Sequence, residues 1–374
     1  MEEIYKQRYL NVFMKFIFLD QDVNSITGGH KYNDAFIEYL SKNNEIVTTP
    51  SCATLYSGWN KIIAPFMELR RLSLLKNGDV IFWGDTSYKY HFLLLFFTWL
   101  SCKRVTSVSI VHHFLFLNDK GIKKYINFCI QYLYYKLCDY IIVPSPYTQY
   151  IARQLFKKDK DKVFYIPLPF SREFKFSENY VEGNYLYVGT IEERKGLVFL
   201  IEALGILKNE MHYNKFILNI VGKISESAYY ERLISMIKDL DLTNNVIFHG
   251  RVSDERLNLF YEQAEIFTFP SLLEGYGIVL VEAISRGVPI VAFNNSAMPY
   301  TIEDGVNGLL ASDRSALSLA NKIKELSGND KLRLKLQEGM KVTISTLKTY
   351  QDFINGIDDF CKSIDLKKEV FNQK

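Results

Sequence analysis

The sequence predicts an α/β chain built from two doubly wound parallel sheets, and three observations carry that prediction. Strand-like runs rich in β-branched and aromatic residues, such as Asp79 to Trp83 (DVIFW) and Val105 to Val111 (VTSVSIV), alternate with helical segments such as Phe92 to Leu100; parallel strands joined by crossover helices read this way. A chain of 374 residues is long for one hydrophobic core and comfortable for two. The charged, proline-bearing stretch LFKKDKDKVFYIPLPFSREF, with Pro167 and Pro169, separates the two alternating halves and sets an expected hinge near residue 170.

Composition narrows the class. Hydrophobic residues make up 48% and charged residues 23%, the balance of a globular chain rather than a disordered one. Five scattered cysteines lack metal-ligand spacing, which fits a reducing compartment better than a disulfide framework. The first apolar run, NVFMKFIFL, carries Lys15 and ends at Asp20 without a small-residue cleavage site, so it is expected to be a strand. Phe92 to Leu100 is about half the length needed to span a bilayer. A cytoplasmic protein is therefore expected, one whose basic half admits the inner face of the membrane as a surface. Residues 1 to 170 hold 21 Lys/Arg against 14 Asp/Glu and residues 171 to 374 hold 24 against 28, so the halves carry +7 and −4. An anionic membrane or a lipid-pyrophosphate acceptor would suit the first half; solvated surface lysines explain the excess equally well.

Taken in order, residues 12 to 20 form the first strand, followed by the loop DQDVNSITGGHKYND and a helix from about Tyr32 to Ser41. Gly28 and Gly29, between strand and helix, let backbone approach a phosphate closely. The strand ending at Val111 leads into His112 and His113, where ligands of such sheets lie. Lys123 to Leu137 is a helix whose Tyr132, Tyr134 and Tyr135 pack a core, or which meets a membrane interface through its aromatic side chains with Lys123, Lys124 and Lys136. Tyr140 to Val143 is the next strand.

The second half opens with the strand Tyr185 to Val188 and Gly189, then Arg194 and Lys195 beside a helix beginning near Gly196, a placement suited to a diphosphate. Strands Phe216 to Val221 and Val246 to Phe248 end in Gly222 and Gly250. Ser253 starts a helix as an N-cap, with Arg256 where Glu would complete a capping box. The chain is then organised around AEIFTFPSLLEGYGIVLVEAISRGVPIVAF, Ala264 to Phe293. This stretch reads as strand (Ile266 to Phe269), turn (Ser271 to Gly277), an almost wholly apolar helix, and strand (Pro289 to Phe293). Glu274 sits at the helix N-terminus, an anion-binding position. Glu282 sits inside the apolar helix and requires polar partners, for which sugar or ribose hydroxyls would serve. An amphipathic helix from about Leu347 to Leu366 closes the chain.

Glu274 and Glu282, within Pro-Ser, Gly-aromatic-Gly and Gly-x-Pro flanks, resemble the E-x7-E donor-binding motif of retaining glycosyltransferases of family four. The resemblance is strongest over residues 185 to 310. It implies the GT-B architecture, two Rossmann-like domains facing a cleft, with an acceptor domain (1–170), a donor domain (171–346) and a last helix (347–374) that crosses back to the first. The implied reaction transfers a sugar, with retention, from a nucleotide-diphosphate donor to a glycan or lipid-linked acceptor, in polysaccharide assembly, with neither cofactor nor metal and no nucleic-acid partner.

Carried over residue by residue, Lys195, Glu274 and His112 are the catalytic candidates. Gly28, Gly29, Gly189, Thr190, Arg194, Arg251, Val252, Gly275, Tyr276, Gly277, Ile278 and Glu282 would hold the donor together with Lys195 and Glu274. The chain departs from the family at Thr190, where a basic residue is common, leaving the second positive charge to Arg194 or Arg251. Tyr300 stands where glutamate is frequent, and His113 where aspartate is commoner. Asp20-x-Asp22 spells a metal-binding pattern of other transferases, which the likeness to a metal-independent group argues against. A nucleotide-sugar 2-epimerase and a non-catalytic nucleotide-sugar or glycan-binding protein share the fold and remain the rival readings. No G-x-G-x-x-G, P-loop or hydrolase elbow occurs.

Overall fold

The computed structural model describes residues 15–21, 28–42, 44–50, 55–56, 59–84, 88–101, 104–156, 160–174 and 179–372. The chain divides into two compact units, Met1–Pro169 with Lys348–Lys374, and Phe170–Leu347.

The first unit holds strands β1 (Lys15–Gln21), β2 (Glu45–Pro50), β3 (Val80–Gly84), β4 (Thr106–Ile110), β5 (Tyr140–Val143) and β6 (Val163–Tyr165). All pairings are parallel, in the order β2-β1-β3-β4-β5-β6. Helices α1 (Gly28–Ser41), α2 (Asn60–Glu68), α3 (Tyr88–Leu100), α4 (Gly121–Leu137) and α5 (Pro146–Phe156) connect them. Strands such as β3 and β4 are buried along their length because helices cover both faces, which is why their apolar runs do not alternate.

The second unit holds β7 (Asn184–Val188), α6 (Leu197–Asn209), β8 (Ile217–Val221), α7 (Ser227–Asp239), β9 (Val246–Gly250), α8 (Asp254–Gln263), β10 (Ile266–Phe269), α9 (Ile278–Ser285), β11 (Ile290–Phe293), α10 (Met298–Thr301), β12 (Leu309–Ala311), α11 (Ala316–Leu326) and α12 (Asp330–Thr346). Its parallel sheet runs β12-β11-β10-β7-β8-β9. Numbered within the unit, this is the doubly wound dinucleotide-fold order, with its direction reversing between β7 and β10.

The last helix, α13 (Tyr350–Asn372), belongs to the first unit. Phe353, Ile357, Phe360 and Ile364 are all fully buried at spacings of four, three and four, one apolar stripe. Phe353 meets Tyr32 and Phe36 edge-on at 5.6 and 6.0 Å, and Phe360 lies 5.3 Å from Phe164 and 5.8 Å from Tyr140. Asp358 accepts the Tyr39 hydroxyl at 2.8 Å; burial, then that carboxylate, push the phenol's pKa up.

Three expectations change. α1 begins at Gly28, not Tyr32, so the glycine pair is the first turn of the helix rather than a loop before it. The stretch expected as a hinge contributes β6, pairing Ile141 with Val163 and Val143 with Tyr165, because its VFY core can extend the sheet despite the lysines before it. Residues 42–78, given no assignment from sequence, hold β2, α2 and a 3-10 turn, Leu69–Leu74.

Candidate functional site

At the point where the second sheet reverses, the loops leaving β7 and β10 open side by side, the place where such sheets bind ligands. The β7 loop passes Gly189, whose N–H donates to the Val221 carbonyl at 3.0 Å, and Thr190, whose hydroxyl donates to Glu192 at 3.0 Å. It then winds through the 3-10 turn Glu193–Lys195 to Gly196. Gly196 has φ of +69°, and a Cβ there would stand 2.1 Å from the Pro270 carbonyl oxygen. Only glycine therefore lets the two loops touch. Leu272 N–H donates to the Arg194 carbonyl at 2.9 Å, pinning the contact.

This junction puts Arg194 and Lys195 on Glu274. The Lys195 ammonium is hydrogen-bonded to Glu274 Oε1, Ser271 Oγ donates to the same oxygen at 2.8 Å, and Arg194 Nη1 lies 3.4 Å from it. Arg194 is fixed in turn, donating to the Leu273 carbonyl at 2.7 Å and to Glu192 at 2.5 Å. Burial raises the Glu274 pKa, but the Lys195 and Arg194 cations outweigh it and hold the carboxyl below its ordinary value. Among the described residues no donor reaches Oε2, and the Glu274 side chain keeps 11% exposure.

Gly275, Tyr276 and Gly277 follow. Tyr276 stacks on Phe170 at 5.4 Å, and Gly277, at φ +83°, is the N-cap of α9 without a side-chain cap. Leu280 N–H donates back to the Gly277 carbonyl at 2.9 Å, which leaves the Ile278 and Val279 N–H groups of the first turn for an oxygen ligand. Glu282 differs from expectation. It is half-buried rather than buried, and Oε2 accepts the Tyr261 hydroxyl of α8 at 3.0 Å, so the helix's polar residue has a protein partner. Arg251 is exposed beyond β9 and Val252 packs half-buried on the core; β9 is two strands from β7, and among the described residues neither touches Glu274. Tyr300 is 50% exposed on α10.

In the first unit, Gly29 and His112 meet: a Cβ on Gly29 would lie 3.1 Å from the imidazole. His112 Nε2 pairs with Asn33 Oδ1 at 3.1 Å, and the ring meets Tyr32 edge-on at 5.5 Å. Gly28 opens α1, and His113 is half-buried next to His112. Asp20 lies in β1, and Asp22 lies outside the described residues.

Sequence reasoning missed four groups. Ser271, Glu192, Asn295 and Ser296 hold the Glu274 loop: Ser296 Oγ accepts the Glu274 N–H at 3.0 Å and donates to Asn295 Oδ1 at 2.9 Å, while Asn295 Nδ2 donates to the Ser271 carbonyl at 3.2 Å. Ser296 has φ of +45°, a strained value held by these bonds. The NNS run ending β11 was the available signal.

Residues 172–342 match the family model described as glycosyl transferases group 1. An uncharacterized 41.2 kDa protein in the cps region of Klebsiella pneumoniae is 26% identical over 320 residues, 81% of this chain and 84% of that protein. The amylovoran biosynthesis glycosyltransferase AmsK of Erwinia amylovora is 34% identical over 148 residues, 38% of this chain and 35% of its own length. Other curated relatives are matched over about half their length. Among solved structures, Anabaena Alr3699/HepE in complex with UDP and glucose superposes with a TM-score of 0.73 at 17% identity, covering 94% of this chain and all of that one. Two parallel six-stranded sheets give the chain the GT-B fold, and its second unit carries the stretch, 172–342, that matches the group 1 glycosyltransferase model.

Proposed function

We propose that the protein transfers a sugar, with retention of anomeric configuration, from a nucleotide-diphosphate donor to a hydroxyl of a glycan or lipid-linked acceptor in polysaccharide assembly. The observation that carries this reading is the Arg194–Lys195–Glu274 cluster at the sheet reversal, beside the uncapped N-terminus of α9. Glu274 holds two cations where departing diphosphate oxygens would arrive, and preorganised charge of this kind stabilises the charge that develops as the glycosidic bond breaks. Its Oε2, with the N–H groups of Tyr276 and Gly277, would take the sugar hydroxyls, and Glu282 the ribose, sharing its load with Tyr261. Gly189, Thr190, Arg251 and Val252, at the exits of β7 and β9, are assigned to the nucleotide. Gly28 and Gly29 are assigned to the donor's phosphates, and His112 to the transferred sugar.

The relatives support the polysaccharide setting, one being encoded in a cps region and another named for amylovoran biosynthesis. HepE, in complex with UDP and glucose, supports a UDP-sugar donor. In this reading Phe170–Leu347 serves the donor and Met1–Pro169 the acceptor, at the inner membrane face. Among the described residues no helix is long and apolar enough to cross a membrane.

The test is incubation with labelled nucleotide sugars, with and without lipid-linked acceptor. Acceptor-dependent transfer is expected. Isomerised donor without acceptor would identify an epimerase, and an unaltered donor a binding protein.

A further inference from the structure

α2 is an amphipathic helix turned inside out. Its inward side carries a carboxylate: Glu68 is fully buried, accepts the Tyr56 hydroxyl at 2.6 Å, pairs with Arg71 and lies 3.7 Å from His91 of α3. Ala64, one turn earlier on the same side, is also fully buried. The outward side carries the large apolar residues. The N-cap Trp59 is 84% exposed, Ile62 65% and Phe66 66%, with Ile63 and Met67 beside them and Leu74 following. Positions 59, 62, 63, 66 and 67 form one helical face, and a soluble protein ordinarily turns such a face inward.

Charge identifies what this face meets. Residues 55–104 contain seven Lys/Arg and three Asp/Glu. Among the described residues the carboxylates Glu68 and Asp79 are buried, whereas Lys61, Arg70, Lys76 and Lys89 are exposed. An apolar row edged by cations, with no exposed carboxylate among its described residues, complements an anionic lipid bilayer: apolar side chains enter the acyl boundary while cations stay among the phosphates.

We infer that α2 is an interfacial helix that seats the first unit on an anionic membrane. The inference rests on the lipid-side acceptor of the proposed function and gives that reading a contact surface on α2; α4, whose aromatics and lysines also suit an interface and which exposes Ile122, Tyr125 and Ile126, is the competing surface in the test. Lys61 and Pro65, on the flank of α2, also line a pocket of about 500 Å³ with Lys89, Asp119, Lys123 and Asn127, in which the Asp119 carboxylate pairs with Lys123 at 2.7 Å. Docking through α2 holds this pocket, which carries Lys61 and Lys89 beside the Asp119–Lys123 pair, at the level of the lipid head groups, where a phosphate-bearing acceptor would be found.

The experiment is co-sedimentation of the full chain with phosphatidylglycerol-containing and pure phosphatidylcholine vesicles. Wild type should bind the anionic vesicles more tightly and lose binding as salt rises. The triple variant Trp59→Ser, Ile62→Ser, Phe66→Ser should bind at least about tenfold more weakly, with unchanged melting temperature because these side chains are exposed, and with unchanged transfer to a water-soluble acceptor. Tyr125→Ser with Ile126→Ser on α4 should bind as wild type. Wild-type binding by the triple variant, loss confined to the α4 variant, or a wild-type dimer that the triple variant dissociates would each overturn the inference. If wild type ignores vesicles yet transfers sugar, docking fails while the transferase reading stands.

Discussion

At the residue scale, Glu274 is an anion kept charged by its neighbours, and three predictions follow from that. Glu274→Gln should lower transfer by about 10²–10³-fold, the usual consequence of losing one preorganised electrostatic partner. Because Glu274 and the Lys195 ammonium are only 11% and 12% exposed, Glu274→Ala leaves the Lys195 ammonium without its carboxylate, while Arg194 keeps Glu192 and the Leu273 carbonyl. It should cost about 1–3 kcal/mol of stability, read by chemical denaturation. From sequence alone the substitution looks neutral for stability; the ion pair is what changes that expectation. The sign with pH is equally definite. The carboxyl's folded value lies below its unfolded one, so its contribution is present above about pH 4.3 and disappears as pH falls through the depressed value. Glu274→Gln should therefore flatten the acid side of the stability–pH profile; an unchanged acid limb would contradict the assignment. The identity of Glu274 and of Lys195 was legible, because both stand in a recognisable pattern of types and spacings. Their pairing was not, since 79 residues separate them and only the contact between two loops brings them together.

At the scale of single elements, Gly196 and α13 offer the clearest tests. Gly196→Ala forces a Cβ against the Pro270 carbonyl from a left-handed backbone, which should cost about 1–3 kcal/mol. It should also reduce transfer, by shifting Lys195 off Glu274. Phe360→Ala empties a fully buried aromatic site on α13 and should cost about 3–5 kcal/mol, read as a lowered melting transition. Helix α13 was legible because its apolar spacing points inward. α2 was not: Pro65 interrupts it, and its apolar residues face solvent, so periodicity there says nothing about a core. β6 was hidden by the charged run that precedes it, and the protein partner of Glu282, the Tyr261 hydroxyl, by the 21 residues that separate them.

At the scale of the whole molecule, two parallel sheets were predictable because alternation of strand and helix over 374 residues admits few other solutions. The strand order was not predictable, since nothing local says that β10 pairs with β7 rather than β9. Yet that pairing is what assembles the candidate site, by bringing the loop of Lys195 beside the loop of Glu274. The most direct measurement is a parallel assay of wild type and Glu274→Gln with a panel of labelled nucleotide sugars and a lipid-linked acceptor, with product configuration read by NMR. The account predicts acceptor-dependent transfer with the donor's anomeric configuration kept, reduced by about 10²-fold or more in the variant. Wild-type turnover by Glu274→Gln, or an inverted product, would contradict it.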